Sequence, residues 1–127
     1  MNLYFVTGGS KGLGLALVQL ALKRGHTVVA LSRSQMERAD RLFAIQHDLA
    51  DVDTLPDLLK TAFSRFLPAD FDAIHLVNNA GVLSPIGYSA TNPIGDVKTN
   101  VTVNFTAPII LTAAWLRELE EYDGWKT

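Results

Sequence analysis

The string Thr7-Gly8-Gly9-Ser10-Lys11-Gly12-Leu13-Gly14 places its glycines in the order G-x-x-x-G-x-G. This is a variant of the spacing that cradles the phosphates of a dinucleotide. Gly8 permits a tight turn, Gly12 lets the backbone approach a pyrophosphate, and Gly14 lets a following helix pack close to a sheet. Ser10, Lys11 and Leu13 complete the candidate cradle. Free N–H groups at the helix start and the positive end of its dipole favour anions there. The region further on selects among dinucleotides. An NAD site wants a carboxylate about 20 residues downstream, to hold the ribose hydroxyls. Here the chain reads Leu31-Ser32-Arg33-Ser34, with no carboxylate. Arg33 offers a planar fork to a 2′-phosphate and Lys11 adds a second cation, so NADP(H) is the expected cofactor.

Other chemistries find less support. With no cysteine, thiolate metal sites, disulfide scaffolds and cysteine nucleophiles are excluded. His26 and His75 have no ligand spacing between them, and His47 is a neighbour of Asp48, so no metal site is expected.

The glycine loop acts only if elements around it hold it in place. Leu3 to Val6 is a short apolar run that reads as a strand buried on both faces. Gly12 to Arg24 is rich in Leu and Ala and closes on Lys23-Arg24-Gly25, a helix with a cationic last turn and a glycine stop. Thr27 to Leu31 reads as a second buried strand and Leu42 to Gln46 as a third. Asp53 is the expected N-cap of the next helix, whose stripe is Leu55, Leu58, Leu59, Ala62, Phe63 and Phe66. Ala73 to Val77 reads as the fourth strand, and a loop punctuated by glycine and proline follows, from Asn78 to about Gly95. One long helix is expected over roughly Asp96 to Glu121, with Trp115 in the core or an interface. Regular strand–helix alternation argues an α/β fold with a doubly wound parallel sheet of at least four strands.

The chain has 127 residues, which fits one domain, and 48% are hydrophobic, too many for a disordered segment. Eleven Lys+Arg against thirteen Asp+Glu give a net charge of −2, so no basic footprint for nucleic acid is expected. The apolar run Ala107 to Leu116 is far shorter than the ~20 residues of a membrane span. The start Met1-Asn2-Leu3-Tyr4-Phe5 lacks a basic signal-peptide head. A soluble, cytoplasmic protein is the expectation.

Three features in order, the glycine loop, Asp48-Leu49 after the third strand and Asn78-Asn79-Ala80-Gly81 after the fourth, resemble the classical short-chain dehydrogenases/reductases. Among these, the likeness points to carbonyl-reducing members related to benzil and sepiapterin reductases. The match runs over essentially the whole chain but covers only the N-terminal half of the family pattern. The resemblance implies a Rossmann-type sheet in the order 3-2-1-4, incomplete here for want of its C-terminal strands. It implies that residues 1–127 form an NADP(H)-binding domain and that Asp48 accepts from the adenine amino group, with Leu49 beside the ring. It also implies that Asn79, Ala80 and Gly81 shape the adenosine-side floor. Asn104, in Val101-Thr102-Val103-Asn104-Phe105, matches the family's catalytic Asn, which helps hold a water at a distortion of its helix. The loop Val82 to Ile94, with Ser84, Tyr88 and Pro93, would flank the nicotinamide and a small carbonyl substrate.

The family's catalytic Ser and Tyr-x-x-x-Lys should follow a fifth strand. The spacing does occur at Tyr122 and Lys126, but too soon after Asn104, with no strand carrying a Ser before it, and with Gly124 inside it. Tyr122 to Thr127 is therefore read as a loop before a missing fifth strand, and the chain itself is expected to be inactive. Two readings stay open: the cofactor-binding part of a carbonyl reductase, or a non-catalytic nucleotide-binding or interaction module. An unpaired fourth strand, and a last helix ringed by Val101, Val103, Ile109, Ile110, Leu111 and Trp115, lead to the expectation of a homo-oligomer.

Overall fold

The computed structural model describes every residue from Met1 to Thr127. Strands β1 (Leu3–Thr7), β2 (Thr27–Ser32), β3 (Leu42–Gln46) and β4 (Ala73–Val77) lie where the apolar runs place them. The helices are α1 (Gly12–Lys23), α2 (Leu55–Phe63), α3 (Ile94–Val101) and α4 (Ala107–Glu118), and a two-residue β5 (Trp125–Lys126) follows. All pairings are parallel, and the sheet order is β3-β2-β1-β4-β5. The expected 3-2-1-4 order thus holds and gains a fifth member.

That fifth member corrects the reading of the C-terminus. Ala73 pairs with Trp125 and Ile74 with Lys126, and the Leu76 N–H donates to Thr127 O at 2.7 Å. Gly124 ends the turn before the strand, so the last residues are strand rather than loop. The outer edge of β4 is therefore covered along its first residues.

Side-chain alternation divides the core between the two faces of the sheet. Leu3, Phe5, Val29 and Leu31 face α2 and α4, joining Leu55, Leu59, Phe63, Leu111, Trp115 and Leu119. Val6, Val28 and Ala30 face the other way, onto Val18 and Ala21 of α1. Trp115 is core, although its indole N–H is buried without a partner. Such an orphan costs about 1–3 kcal/mol, a penalty set against the large apolar area the ring buries.

One local expectation fails. Asp53 does not cap α2. The cap is Thr54, whose backbone is already helical at φ −89° and ψ −8° and whose side chain caps nothing. The chain enters through a turn in which Asp48 Oδ1 accepts from Ala50 N–H at 2.9 Å, so the turn's carboxylate sits earlier. The expected long last helix runs without a break from Ile94 to Glu118, with a π-turn over Thr102–Thr106 that is the helix distortion the resemblance implies at Asn104. Pro108 explains the distortion: it has no N–H to offer the Asn104 carbonyl four residues back. No helix is long and apolar enough to cross a membrane.

Candidate functional site

The C-terminal ends of β1, β2, β3 and β4 open into a cleft of about 230 Å³. Gly8, Ser10, Lys11, Arg33, Asp48, Leu49, Asn79, Ala80 and Gly81 all line it. Gly12, Leu13 and Gly14 sit behind it at the start of α1, where Leu13 is 70% exposed. Sequence reasoning did not single out Ser32, Ser34 or Thr99, which also contribute to the walls, and it assigned Val103 to a self-association surface where the structure buries it beside the cleft.

The sheet order sets the layout. Arg33, His47, Asp48 and Leu49 come from the β2 and β3 ends, and Ser10 and Lys11 from the glycine loop after β1. Gly81, Val82, Thr99 and Val103 come from beyond β4. One ligand could therefore run from the β3 side to the β4 side across the glycine loop, as the crevice at a topological switch point allows.

Thr7, at the end of β1, ties the loop to the β4 end. Its Oγ1 accepts from the N–H groups of Asn79 and Ala80, each at 3.0 Å. Asn79 returns the contact, its Nδ2 donating to Thr7 O at 3.0 Å and Gly8 O at 3.3 Å. Asn79 thus braces the turn as well as lining the cleft. Gly8 adopts φ +70°, and its N–H donates to Leu31 O at 2.8 Å, anchoring the loop to β2. Gly14 permits the close approach behind it, because a Cβ there would collide with the Gly8 carbonyl oxygen.

What remains free is a run of donors. The amides of Ser10, Lys11, Gly12, Leu13 and Gly14 meet no protein acceptor, and Lys11 at the helix N-cap supplies no side-chain cap. Neither Lys11 nor Arg33 takes part in an ion pair, and both are exposed. Unsatisfied amides at a helix start beside two uncommitted cations are the donors and charge that phosphate recognition requires. The backbone that presents Arg33 is itself braced. Ser32 Oγ donates to Ser34 O at 2.6 Å, and Gln46 Nε2 donates to Arg33 O at 2.8 Å. Asp48 is exposed and accepts from Ala50 N–H through Oδ1.

Asn104 stands in the π-turn and does not line the cleft. Its amide pairs with the backbone of Val82 as a strand would: Oδ1 accepts from Val82 N–H at 2.8 Å, and Nδ2 donates to Val82 O at 2.7 Å. Asn100, one turn earlier and missed by sequence reasoning, donates to the same carbonyl at 3.1 Å and to Ser84 O at 2.9 Å. An Asn four residues before the candidate Asn, on one helix face, was the available signal.

Tyr122 and Lys126 lie elsewhere. The Tyr122 hydroxyl donates to Phe71 O at 2.9 Å, and Lys126 Nζ donates to Leu119 O at 2.8 Å and Tyr122 O at 3.0 Å. Phe71 precedes β4, so the hydroxyl sits at the opposite end of that strand from the cleft, roughly 16 Å away for five residues at ~3.3 Å each. Burial, with the Asp72 carboxylate adding to it, raises the Tyr122 pKa above the ordinary tyrosine value. An acid catalyst needs the reverse shift. The pair closes the end of α4.

Comparisons with known proteins agree with this fold. The family profile described as short chain dehydrogenase matches residues 2–124. A benzil reductase ((S)-benzoin forming) of Bacillus subtilis is 34% identical over 128 residues, covering 100% of this chain and 53% of that protein. A Dichelobacter nodosus protein named as a probable NADP-dependent dehydrogenase is 39% identical over 85 residues, 61% of this chain and 76% of that protein. A short-chain dehydrogenase/reductase of Burkholderia vietnamiensis superposes with a TM-score of 0.82 at 31% identity, covering 92% of this chain and 58% of that one. The chain spans about half the length of the Bacillus relative it matches. Glycine loop, sheet order and family profile lead to one conclusion: this chain belongs to the short-chain dehydrogenase family.

Proposed function

We propose that this chain binds NADP(H) and is the cofactor-holding part of an oxidoreductase that reduces a small carbonyl compound. One observation carries the reading: a run of amides without an acceptor leads from Ser10 into the first turn of α1, and Lys11 and Arg33, neither in an ion pair, line the cleft together with Ser10. The pyrophosphate takes the amides of Ser10 to Gly14. Arg33, with Lys11 next to it, takes the 2′-phosphate, and no carboxylate at the end of β2 opposes it. Asp48 and Leu49 receive the adenine, and the far half of the dinucleotide extends toward Val82 and Thr99. When bound, the nicotinamide supplies the hydride for carbonyl reduction. Asn104 acts through Val82, holding the wall on the nicotinamide side. Support for the substrate class comes from the benzil reductase it resembles, and support for the cofactor from the relative named NADP-dependent. Tyr122 and Lys126 are engaged in structural bonds, which favours a chain that furnishes the cradle and not the acid.

Titrating NADPH and NADH against wild type and Arg33→Ala tests the reading. A charge-assisted contact is worth about 1.5–3 kcal/mol, so NADPH affinity should fall about ten- to a hundredfold in the variant while NADH changes little. Equal affinity of wild type for both cofactors would refute the assignment of Arg33. Binding of neither would refute the cofactor reading as a whole.

A further inference from the structure

Val82 is the cleft residue most completely held by side chains, and Asn100 supplies the part of that hold no other residue duplicates. Asn104 alone pairs both the N–H and the carbonyl of Val82. Asn100 adds a second donor to the Val82 carbonyl and reaches on to Ser84 O at 2.9 Å, so the tie spans the loop from 82 to 84. The two amides also meet each other, Asn104 Nδ2 donating to Asn100 Oδ1 at 3.2 Å. Every amide orientation in this network is forced. The Val82 N–H requires Oδ1 of Asn104 to face it, which turns Nδ2 of Asn104 toward Asn100. Asn100 must then present its oxygen to Asn104 and its NH₂ to the two loop carbonyls. All four amide hydrogens and both amide oxygens are used, so the two side chains tie the loop through every polar atom they carry.

We propose that Asn100 is a positioning residue that sets the nicotinamide-side wall of the cleft and so selects for the complete dinucleotide over its adenosine half. The inference rests on the cofactor reading above. With the phosphates at the glycine loop and the adenosine on the β2–β3 side, only the nicotinamide half can meet Val82, beside which Thr99 and Val103 also line the cleft. Those two residues flank Asn100 in sequence by one and three positions. The same stretch of helix therefore builds the wall and braces its opposite side. A wall held by four hydrogen bonds keeps its shape before the ligand arrives, which lowers the ordering cost of binding.

Asn100→Asp is the sharp probe, because it keeps the shape and the acceptor while aiming a carboxylate oxygen at the carbonyls of Val82 and Ser84. Asn100→Ser, which removes the reach without adding charge, serves if the aspartate variant folds poorly. Affinities are measured for NADPH and for 2′,5′-ADP, which carries the adenosine half alone, together with amide exchange at Val82 in the free protein. The expected result is about a tenfold loss for NADPH, less than a twofold change for 2′,5′-ADP, and faster exchange at Val82. Parallel losses for both ligands, or an unchanged NADPH affinity, would overturn the role of Asn100 while leaving the cofactor reading intact. If wild type binds neither ligand, the cofactor reading falls and this inference falls with it.

Discussion

Replacing Gly14 by alanine should damage the protein far more than its one methyl group suggests. A Cβ at Gly14 runs into the Gly8 carbonyl oxygen and comes 2.5 Å from Asn79 Nδ2 and 2.9 Å from Gly8 C. Neither obstacle moves freely. Gly8 is fixed to Leu31 by its N–H at 2.8 Å, and Asn79 Nδ2 holds Thr7 O at 3.0 Å and Gly8 O at 3.3 Å. Overpacking of this kind costs about 1–3 kcal/mol. Displacing the Asn79 amide removes two hydrogen bonds worth about 0.5–1.5 kcal/mol each. The better helix propensity of alanine returns about 1 kcal/mol at most. The net is a destabilisation of about 1–5 kcal/mol, centred near 3. Gly12→Ala is the internal control: its φ of +56° makes a side chain strained, yet nothing lies within 4 Å of the added Cβ. It should cost only the left-handed conformation, about 1–2 kcal/mol. Urea denaturation followed by circular dichroism, at matched m-values, gives both numbers. If Gly14→Ala proves no more destabilising than Gly12→Ala, the close helix–turn approach is not what Gly14 is for.

Other expectations follow from particular contacts. Burial first and His26 second hold the pKa of His75 below its ordinary value of 6.5. The unfolded chain then takes up a proton that the folded one refuses, so stability falls as pH drops below about 6.5 and levels off beneath the folded pKa. Thermal melts from pH 8 to 5 should show this slope in wild type and a flatter one in His75→Gln; identical slopes would remove His75 as its source. Tyr122→Phe deletes one hydrogen bond to Phe71 O and should cost about 0.5–1.5 kcal/mol, with NADPH affinity unchanged. A drop in cofactor affinity in that variant would place Tyr122 near the cleft after all. Self-association should run along the last helices, where Val101, Phe105, Ile109 and Leu116 are 51%, 65%, 54% and 48% exposed. Sedimentation should show Phe105→Glu shifted toward monomer, and a monomeric wild type would remove the basis for that variant.

Much of the fold was legible in the sequence because its signals are local. Four strands declared themselves as short apolar runs ended by glycine or polar residues, a pattern that burial on both faces of a parallel sheet enforces. The glycine spacing specified the turn in the same way, since Gly8 and Gly14 answer to contacts within a few residues of themselves or to the strand next door. The two-residue β5 was not legible. Trp125 and Lys126 carry no strand signature, and their pairing with Ala73 and Ile74 depends on a partner some fifty positions away.

The site divides along the same line. Residue types alone pointed to a phosphate loop and a cation at the end of β2. The π-turn had a local cause too, since Pro108 deprives the Asn104 carbonyl of its helical donor. Tertiary structure decided which groups are spoken for. Thr7 binds two amides from the turn after the neighbouring strand β4, Asn79 is half brace and half wall, and Asn100 joins Asn104 on Val82. Tyr122 and Lys126 have the spacing of a catalytic pair but are drawn to backbone carbonyls at the other end of β4. Spacing along a chain constrains what one element can present; whether a side chain is free to do chemistry depends on distant partners that only folding brings within hydrogen-bond reach.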